Sequence, residues 1–377
     1  MRKFACALTF CVFFAALPYA AIAADAGDTK APAVSLADML SASGVAVDGY
    51  VDAAYSYLSG DGVFTSGTSN RVFDTEPNSF NLHQAALLVA YQPKEGFGAY
   101  VNLTAGRDAR VIKSYDTTTN DFDVTQAYVQ YAHGPLTVIG GKYVTLAGAE
   151  VINSTADVNY SRSILFGYAI PFAHTGVRAT YVVNSTLTLI GGVTNGWDQL
   201  KDQNRQKTLE LGVGFVPSKF LSLAVQGYTG VEQVYGVIGG ISGQRNLVDV
   251  VATITANDRL SFILNYDYAS QDNFTSLANG STIKAKWSGT AGYLNYMLSN
   301  QWRLGLRGEY FDDTDGYRTG VIQKWKEATL TLGYLPSKSV EIRTEVRGDR
   351  SDANSFVSGV SAKKDQSSVG LEAIFKF

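Results

Sequence analysis

Hydrophobic and polar residues alternate with a period of two along most of this chain, from Val45 to residue 377. Successive side chains of an extended strand point to opposite sides, so the pattern gives each strand one apolar and one polar face. Such a strand separates an apolar environment from a polar one. In the final strand, the apolar face carries Val369, Leu371, Ala373, Phe375 and Phe377, and the polar face carries Gly370, Glu372 and Lys376.

The connections between these strands have two lengths, which alternate strictly. Seven are short turns and eight are long loops, so together they join sixteen strands. Short turns on one side and long loops on the other are typical of membrane barrels, and sixteen strands leave room for water inside. The sequence therefore predicts an all-β, transmembrane, antiparallel up-and-down β-barrel of sixteen strands, with fourteen or eighteen as alternatives. The short turns lie at 92–96, 133–135, 183–185, 216–219, 257–258, 299–300 and 335–338, and the long loops at 59–78, 108–121, 145–173, 198–206, 233–245, 272–284, 312–322 and 350–364.

Aromatic residues are predicted to form two bands, one beside the short turns and one at the loop ends. Two such bands around an apolar belt mark the two membrane–water interfaces of a barrel. The alternative is a scatter of core aromatics in a soluble barrel. The first band contains Tyr91, Phe97, Tyr131, Phe215, Phe220, Trp302 and Tyr334, and the second contains Tyr57, Tyr143, Trp197, Tyr228, Tyr268 and Tyr310.

The polar strand faces carry many charged residues of both signs. Burying so many charges in a packed core would be very costly, whereas a water-filled lumen removes that cost. The alternative is a polar network that plugs a narrow barrel. The residues predicted to line the lumen and to influence ion selectivity are Asp48, Asp52, Arg303, Arg307, Glu309, Glu327, Glu341, Arg343, Glu345 and Arg347.

Residues 1–24 have the pattern of a secretory signal peptide. Arg2 and Lys3 form a basic start, residues 4–17 form a short apolar core, and residues 21–23 (Ala-Ile-Ala) form a cleavage site of small residues. The apolar run is too short for a transmembrane helix. We therefore expect export and cleavage of this segment.

The remaining chain divides into a polar lead at 25–44 and the barrel at 45–377. Both cysteines, Cys6 and Cys11, lie in the signal segment. The mature chain is therefore expected to contain neither a disulfide nor a thiolate metal site. A closed barrel would stabilise an exported chain of this kind without disulfides.

Charge and composition narrow the function classes. The formal net charge is −3, and it becomes −5 when Arg2 and Lys3 are removed, which argues against nucleic acid as a partner. The mean hydropathy of −0.01 argues against membrane-spanning helices but is compatible with a barrel, whose alternating strands average to near zero. The 37 Gly, 22 Tyr and 19 Phe, with only 8 Pro, favour strands and turns.

Three segments resemble a known family. Residues 161–178, with the sequence SRSILFGYAIPFAHTGVR, look like the OmpL-like outer-membrane β-barrel porins, and so do residues 47–52 (VDGYVD) and 140–143 (GGKY). The resemblance extends over roughly 45–377. It implies a pore-forming protein in the outer membrane of a Gram-negative cell, but no motif within it indicates a substrate.

The final strand carries a second resemblance. It is similar to the insertion strand of bacterial outer-membrane barrels, which characteristically ends in Phe. The resemblance implies that Leu371, Phe375 and Phe377 are recognised when the barrel assembly machinery inserts the chain.

The longest loop, at 145–173, is the third of the long loops. In general porins the third loop enters the lumen, and Glu150, Asp157 and Arg162 are therefore candidate constriction residues. We expect Glu150 and Asp157 to face the wall arginines across the constriction and to create a transverse field. The alternative is that the apolar part of the loop extends a strand or caps the barrel rim.

Candidate catalytic and metal sites are weak. His83 and His174 lie near the predicted outer rim, but neither has an identifiable orienting partner, and no G-x-S-x-G motif occurs. Residues 312–316 (DDTDG) do not fit a calcium-binding EF-hand loop. We therefore predict no catalytic residues, no metal and no cofactor.

The sequence thus predicts a porin that lets small hydrophilic solutes or ions diffuse through a water-filled lumen. Two alternatives remain: a non-conducting structural or adhesive barrel with ligand-binding outer loops, and an outer-membrane hydrolase. The expected partners are outer-membrane lipid and lipopolysaccharide, the solutes and the barrel assembly machinery. Nucleic acid is not expected, and a homo-oligomer is left open.

Overall fold

Sixteen strands form one closed antiparallel barrel in the computed structural model, which describes residues 40, 42–59, 71–115, 117–118, 120–234, 241–358 and 361–377. This confirms the predicted fold and strand number. The barrel strands are β1 (Ala46–Leu58), β2 (Ser79–Tyr91), β3 (Gly96–Ala105), β4 (Phe122–His133), β5 (Leu136–Val144), β6 (Ala173–Val182), β7 (Leu187–Thr194), β8 (Thr208–Ser218), β9 (Leu221–Gln233), β10 (Ser242–Asn257), β11 (Leu260–Thr275), β12 (Thr282–Met297), β13 (Trp302–Asp313), β14 (Gln323–Ser337), β15 (Val340–Ser351) and β18 (Asp365–Lys376).

Each barrel strand pairs with its neighbours in sequence, and β1 closes the ring by pairing with β18. The closure extends to Phe377, whose backbone N–H donates to the Gly49 carbonyl at 2.9 Å and whose carbonyl accepts from Gly49 N–H at 3.0 Å. The ring of Phe377 lies against Gly49, where an added Cβ would approach it to 2.5 Å. An added Cβ would also come within 2.9 Å of the backbone carbonyl oxygen of Ala86, so close packing favours glycine at this position.

The connections follow the predicted alternation of short turns and long loops. Besides the loop between β5 and β6, two long loops contain structure that the sequence pattern did not predict. A one-turn helix, α1 (Ala109–Ile112), follows β3, and a small hairpin of β16 (Phe356–Ser358) and β17 (Ser361–Lys363) follows β15. The predicted signal peptide at 1–24 and most of the predicted lead at 25–44 lie outside the described residues.

The two faces of the wall differ as the alternation predicts. Apolar side chains such as Leu211 and Leu264 are exposed on the outside, and so are Leu371, Phe375 and Phe377 of the predicted insertion strand. Polar and charged side chains occupy the inside. No helix in the described part of the chain is long and apolar enough to cross a membrane.

The predicted aromatic band at the loop ends is only partly correct. Tyr57 and Tyr268 are exposed on the outer surface, but Tyr143, Trp197 and Tyr228 are buried inside, each 1% exposed. Tyr228 lies on the lumen side of β9, together with every second residue of the second half of that strand. The alternation along the strand, and not the closeness of a loop, therefore determines the face on which Tyr228 lies. Trp197 lies in a loop that turns inward, and the burial pattern of β5 loses its alternation before Tyr143.

Candidate functional site

Residues 145–172, which we call the inner loop, connect β5 to β6 and fill part of the barrel lumen. The loop contains a 3-10 turn at Ser154–Ala156 and a short π-helical turn at Leu165–Ala169. Ile164, Leu165, Phe166, Ala169 and Ile170 are at most 2% exposed. The loop therefore enters the lumen and does not extend a strand, and its apolar part packs near the loop ends of β13 and β14.

The apolar part of the inner loop packs against aromatic residues. The ring of Phe166 lies 5.7 Å from that of Phe73 and 5.4 Å from that of Phe172. Trp287 on β12 donates an Nε1–H bond of 3.0 Å to the carbonyl of Ala169. This segment thus gains an apolar environment inside the barrel, which explains why its sequence is unsuited to an exposed loop.

Two wall carboxylates accept hydrogen bonds from the backbone of the inner loop. Glu345 on β15 accepts from the N–H groups of residues 160 and 161 at 2.8 and 3.0 Å. Glu309 on β13 accepts from those of residues 164 and 165 at 3.0 and 3.2 Å. An irregular segment buried in a barrel needs partners for its backbone N–H groups, and these carboxylates supply them.

Two wall arginines on β15 bind the carbonyl groups of the same loop. Arg343 donates to the carbonyls of Ser154 and Asp157 at 2.9 and 2.7 Å. Arg347 donates to the carbonyl of Arg162 at 2.7 Å. Charge-assisted hydrogen bonds of this length are among the stronger ones in proteins, so the wall holds the loop from both its donor and its acceptor groups.

The predicted constriction residues contact the wall or one another directly. Glu150 forms an ion pair with Arg307 at 2.8 Å. The Asp157 carboxylate pairs with Arg162 at 3.2 Å and accepts from the backbone of Val151 at 3.1 Å. The expectation that Glu150 faces the wall arginines across an open gap is therefore wrong, because the two charges are in contact.

The wall charges also pair with one another along and between strands. Arg343 bridges Glu341 at 2.8 Å and Glu372 at 3.0 Å, and Arg303 also pairs with Glu341. Such pairs arise because alternate residues of one strand, and register neighbours on adjacent strands, share the lumen face. The predicted residues on β13–β15 thus form one connected network with the inner loop.

A protein-family model described as "Putative beta-barrel porin-2, OmpL-like" matches residues 44–377. The chain belongs to this family. Both the recognition from sequence and the porin function are thereby confirmed, and the outer membrane is the location that this family implies. Among curated protein sequences, none matches the chain significantly.

Solved outer-membrane channels share the fold of this porin. The channel DcaP of Acinetobacter baumannii is 15% identical, with 88% of this chain and 97% of that chain covered and a TM-score of 0.60. The trimer form of OmpT from Vibrio cholerae is 13% identical, with 88% and 99% covered and a TM-score of 0.60. The anion-selective porin from Comamonas acidovorans is 12% identical, with 88% and 99% covered and a TM-score of 0.59. At these identities the likeness establishes the fold.

The interior of this porin contains more acidic than basic side chains. Among the described residues, 17 Asp and Glu side chains are buried, compared with eight Arg and Lys side chains. Asp249 and Asp267 are register neighbours on β10 and β11, and Asp249 is absent from the residues predicted to line the lumen. The alternation along β10 places Asp249 on the lumen side, and this pattern could have identified it from the sequence. The predicted Asp52 is also buried, whereas Asp48 lies nearer the short-turn end of β1 and is partly exposed.

His83 has two partners, contrary to the expectation from sequence. Its Nδ1 lies 3.2 Å from the Asp108 carboxylate, and its Nε2 lies 3.2 Å from the Tyr160 hydroxyl of the inner loop. Burial acts to raise the pKa of Asp108, but the hydrogen bonds from His83 and Gln84 hold this pKa below its ordinary value. The arrangement attaches the inner loop to β2.

His174 occupies a different part of the interior. Its ring stacks on Tyr228 with 4.7 Å between the ring centroids, and its Nδ1 lies 3.3 Å from the Gly196 carbonyl. Both histidines are buried, at 6% exposure or less. They lie near the loop ends of β2 and β6, as the sequence predicts, and their side chains are packed inside the barrel.

Proposed function

We propose that this porin gives small hydrophilic solutes and ions a passive path across the outer membrane, and that the inner loop determines the width of this path. The observation that supports the proposal is the attachment of the loop to a charged wall by hydrogen bonds to its own backbone. A wall built only for stability would not need this density of charge, because apolar residues of similar volume pack as well or better.

We also propose that the path prefers cations. Buried Asp and Glu side chains outnumber buried arginines and lysines, an imbalance that favours a negative potential inside the barrel. Rings of acidic side chains favour cations in channels generally. The porin from Comamonas acidovorans, which has the same fold, is named as anion-selective, so the fold itself does not determine the sign of the preference.

Planar-bilayer recording of the purified protein tests both proposals. Deleting residues 150–160 should raise the single-channel conductance, because it removes the loop segment that Arg343 and Glu345 hold. In a salt gradient, the reversal potential should show cation preference, and Asp249→Asn with Asp267→Asn should reduce it. Glu95→Gln, in an exposed short turn, is the matched control for charge. An unchanged conductance after the deletion would contradict the role of the loop, and anion preference would contradict the second proposal.

A non-conducting structural or adhesive barrel is the second candidate. The dense network between wall and loop favours it, because wall charges that are already paired and packed leave less room for water. Bilayer recording decides between the two functions, since such a barrel would show no channels in the native protein. A hydrolase is the weakest candidate, and we expect no lipid or peptide hydrolysis by the purified protein, nor any effect of His83→Ala or His174→Ala on such activity.

Export and assembly complete the proposal. We expect cleavage of the signal segment after residues 21–23, recognition of Phe377 by the barrel assembly machinery, and contact with lipopolysaccharide in the outer leaflet. A homo-oligomer is proposed by analogy with the trimer form of OmpT. Mass spectrometry of the mature protein and its sedimentation in detergent test the first and last of these expectations.

A further inference from the structure

An open groove of about 510 Å³ lies on the outside of the barrel, across β13, β14, β15, β18 and β1. Its floor contains Ala328, Gly348 and Ser367, which are register neighbours on three adjacent strands. An added Cβ on Gly348 would meet no atom within 4 Å, so the floor opens outward into free space. These small residues leave a depression between the larger apolar residues of the next outward row, such as Leu330 and Val346.

One edge of the groove is an apolar row that runs across the same strands. The row lies nearer the short turns than the floor of the groove does. Because the long loops of such a barrel face the cell exterior, this is the direction of the hydrocarbon core of the membrane. Each residue is the register neighbour of the next, so the row continues without a break. The row consists of Leu306, Leu330, Val346, Val369 and Tyr57.

Toward the long loops, beyond the residues that line the groove, the next outward positions on β14 and β15 are basic. Lys326 and Arg350 are register neighbours, two positions beyond Ala328 and Gly348 on the same outward face. The Arg350 side chain is 76% exposed and forms only a long ion pair of 3.6 Å with Asp365. Lys326 forms no ion pair with any described residue. Two cations thus stand beside a groove in a surface that faces lipid.

We propose that this groove, which we call the lipid groove, binds a phosphorylated glycolipid of the outer leaflet. A phosphate would lie on Lys326 and Arg350, and the first part of an acyl chain would lie over Ala328 and Gly348 against the apolar row. This inference rests on the outer-membrane placement of the barrel, and it specifies the site for the lipid partner. The charge complementarity and the order of the rows favour this occupant, because a basic row followed by a groove and an apolar row matches a phosphate joined to an acyl chain.

The geometry also explains why lysine and arginine are tolerated here. Cationic side chains on the lipid side of a barrel are costly at the membrane midplane and cost little near the interface. An anionic headgroup attracts each nearby Lys or Arg by about 1 kcal/mol. The two cations together should therefore strengthen binding of a phosphorylated lipid by roughly 30-fold.

Native mass spectrometry of the full-length mature protein in detergent, titrated with purified lipopolysaccharide, tests the proposal. Lys326→Ala with Arg350→Ala removes the cations, and Gly348→Leu fills the groove without a clash. The controls are Lys338→Ala, at an exposed short turn, and Gly191→Leu, on the outward face of β7, where an added Cβ also meets no atom within 4 Å. Heat-modifiable mobility in gels verifies that each variant is a folded barrel.

The probes distinguish the contributions of phosphate and acyl chain. The double variant should lose roughly 30-fold in affinity for lipopolysaccharide and nothing for its dephosphorylated form. Gly348→Leu should instead weaken the binding of both forms. Inorganic phosphate should not compete with lipopolysaccharide for the groove. Equal affinity of all variants would overturn the proposal, and so would competition by inorganic phosphate alone. A change in subunit number with Gly348→Leu, at unchanged lipid binding, would assign the groove to a second copy of the chain and overturn the lipid site. These results do not depend on conductance, so they can fail independently of the porin function.

Discussion

Glu345→Gln tests how firmly the wall holds the inner loop. In the native protein each oxygen of this carboxylate accepts one backbone N–H bond from residues 160 and 161, and one also accepts from the Thr331 hydroxyl at 2.7 Å. The amide of glutamine has a similar shape but only one acceptor oxygen. Its NH₂ group would face one of the backbone N–H groups, which would then lose its partner.

The expected cost follows from the number of bonds affected. Hydrogen bonds to a charged group contribute about 1.5–3 kcal/mol each, and an unpaired buried donor costs about 1–3 kcal/mol. One bond is lost and the other is weakened by loss of the charge, so the attached state of the loop should be destabilised by roughly 2–4 kcal/mol. The ratio of detached to attached loop should therefore rise by roughly 30- to 1,000-fold.

Amide hydrogen exchange measures this ratio directly. The peptide containing Tyr160 and Ser161 should lose protection by the same factor in Glu345→Gln, and channel recordings should show more frequent transitions to a wider state. Peptides from the barrel strands should keep their protection, and Glu95→Gln should leave the loop unchanged. If the loop peptide of Glu345→Gln exchanges as slowly as in the native protein, the wall carboxylate does not hold the loop and our reasoning is wrong.

Two further predictions concern pH and barrel closure. Burial raises the pKa of Asp157 from its ordinary 3.8 to about 7, although Arg162 opposes this shift. The attached loop therefore binds a proton more readily than the detached loop, and its attachment should weaken as pH rises from about 4 to about 7. Conductance at pH 8 should accordingly exceed that at pH 5. A conductance that does not change with pH in the native protein would contradict this cause. So would an Asp157→Asn variant whose conductance depends on pH as in the native protein. Gly49→Val should reduce the yield of refolded barrel in gel-mobility assays, because its side chain would collide with the Ala86 carbonyl oxygen and displace the Phe377 ring, whereas Gly191→Val should refold normally.

The sequence could predict the barrel because each strand contacts two different environments, and alternation records this directly. The interior positions of Tyr143 and Trp197 could not be predicted from their closeness to loops, since the face of a residue depends on local register and on how each loop turns. The partnership of His83 with Asp108 joins a strand to a helix 25 residues later. Contacts of this kind depend on the folded arrangement of the loops, which the period-two pattern does not describe.

The attachment of the inner loop to the wall was also beyond the sequence pattern. An apolar segment at 164–170 is consistent with either an inner position or a cap, because both remove it from water. Its actual partners, Glu309 on β13 and Glu345 on β15, are more than 140 residues away in sequence. Only closure of the ring brings them opposite the loop.

The pairing of β1 with β18 also constrains how this protein can be made. Its partner residues, such as Tyr50 and Lys376, are separated by almost the whole chain, and contacts of such long sequence separation form slowly. Until the last strand is in place, the sheet has two unpaired edges, which can bind other chains and aggregate. The barrel therefore becomes safe from such pairing only when the two ends of the chain meet.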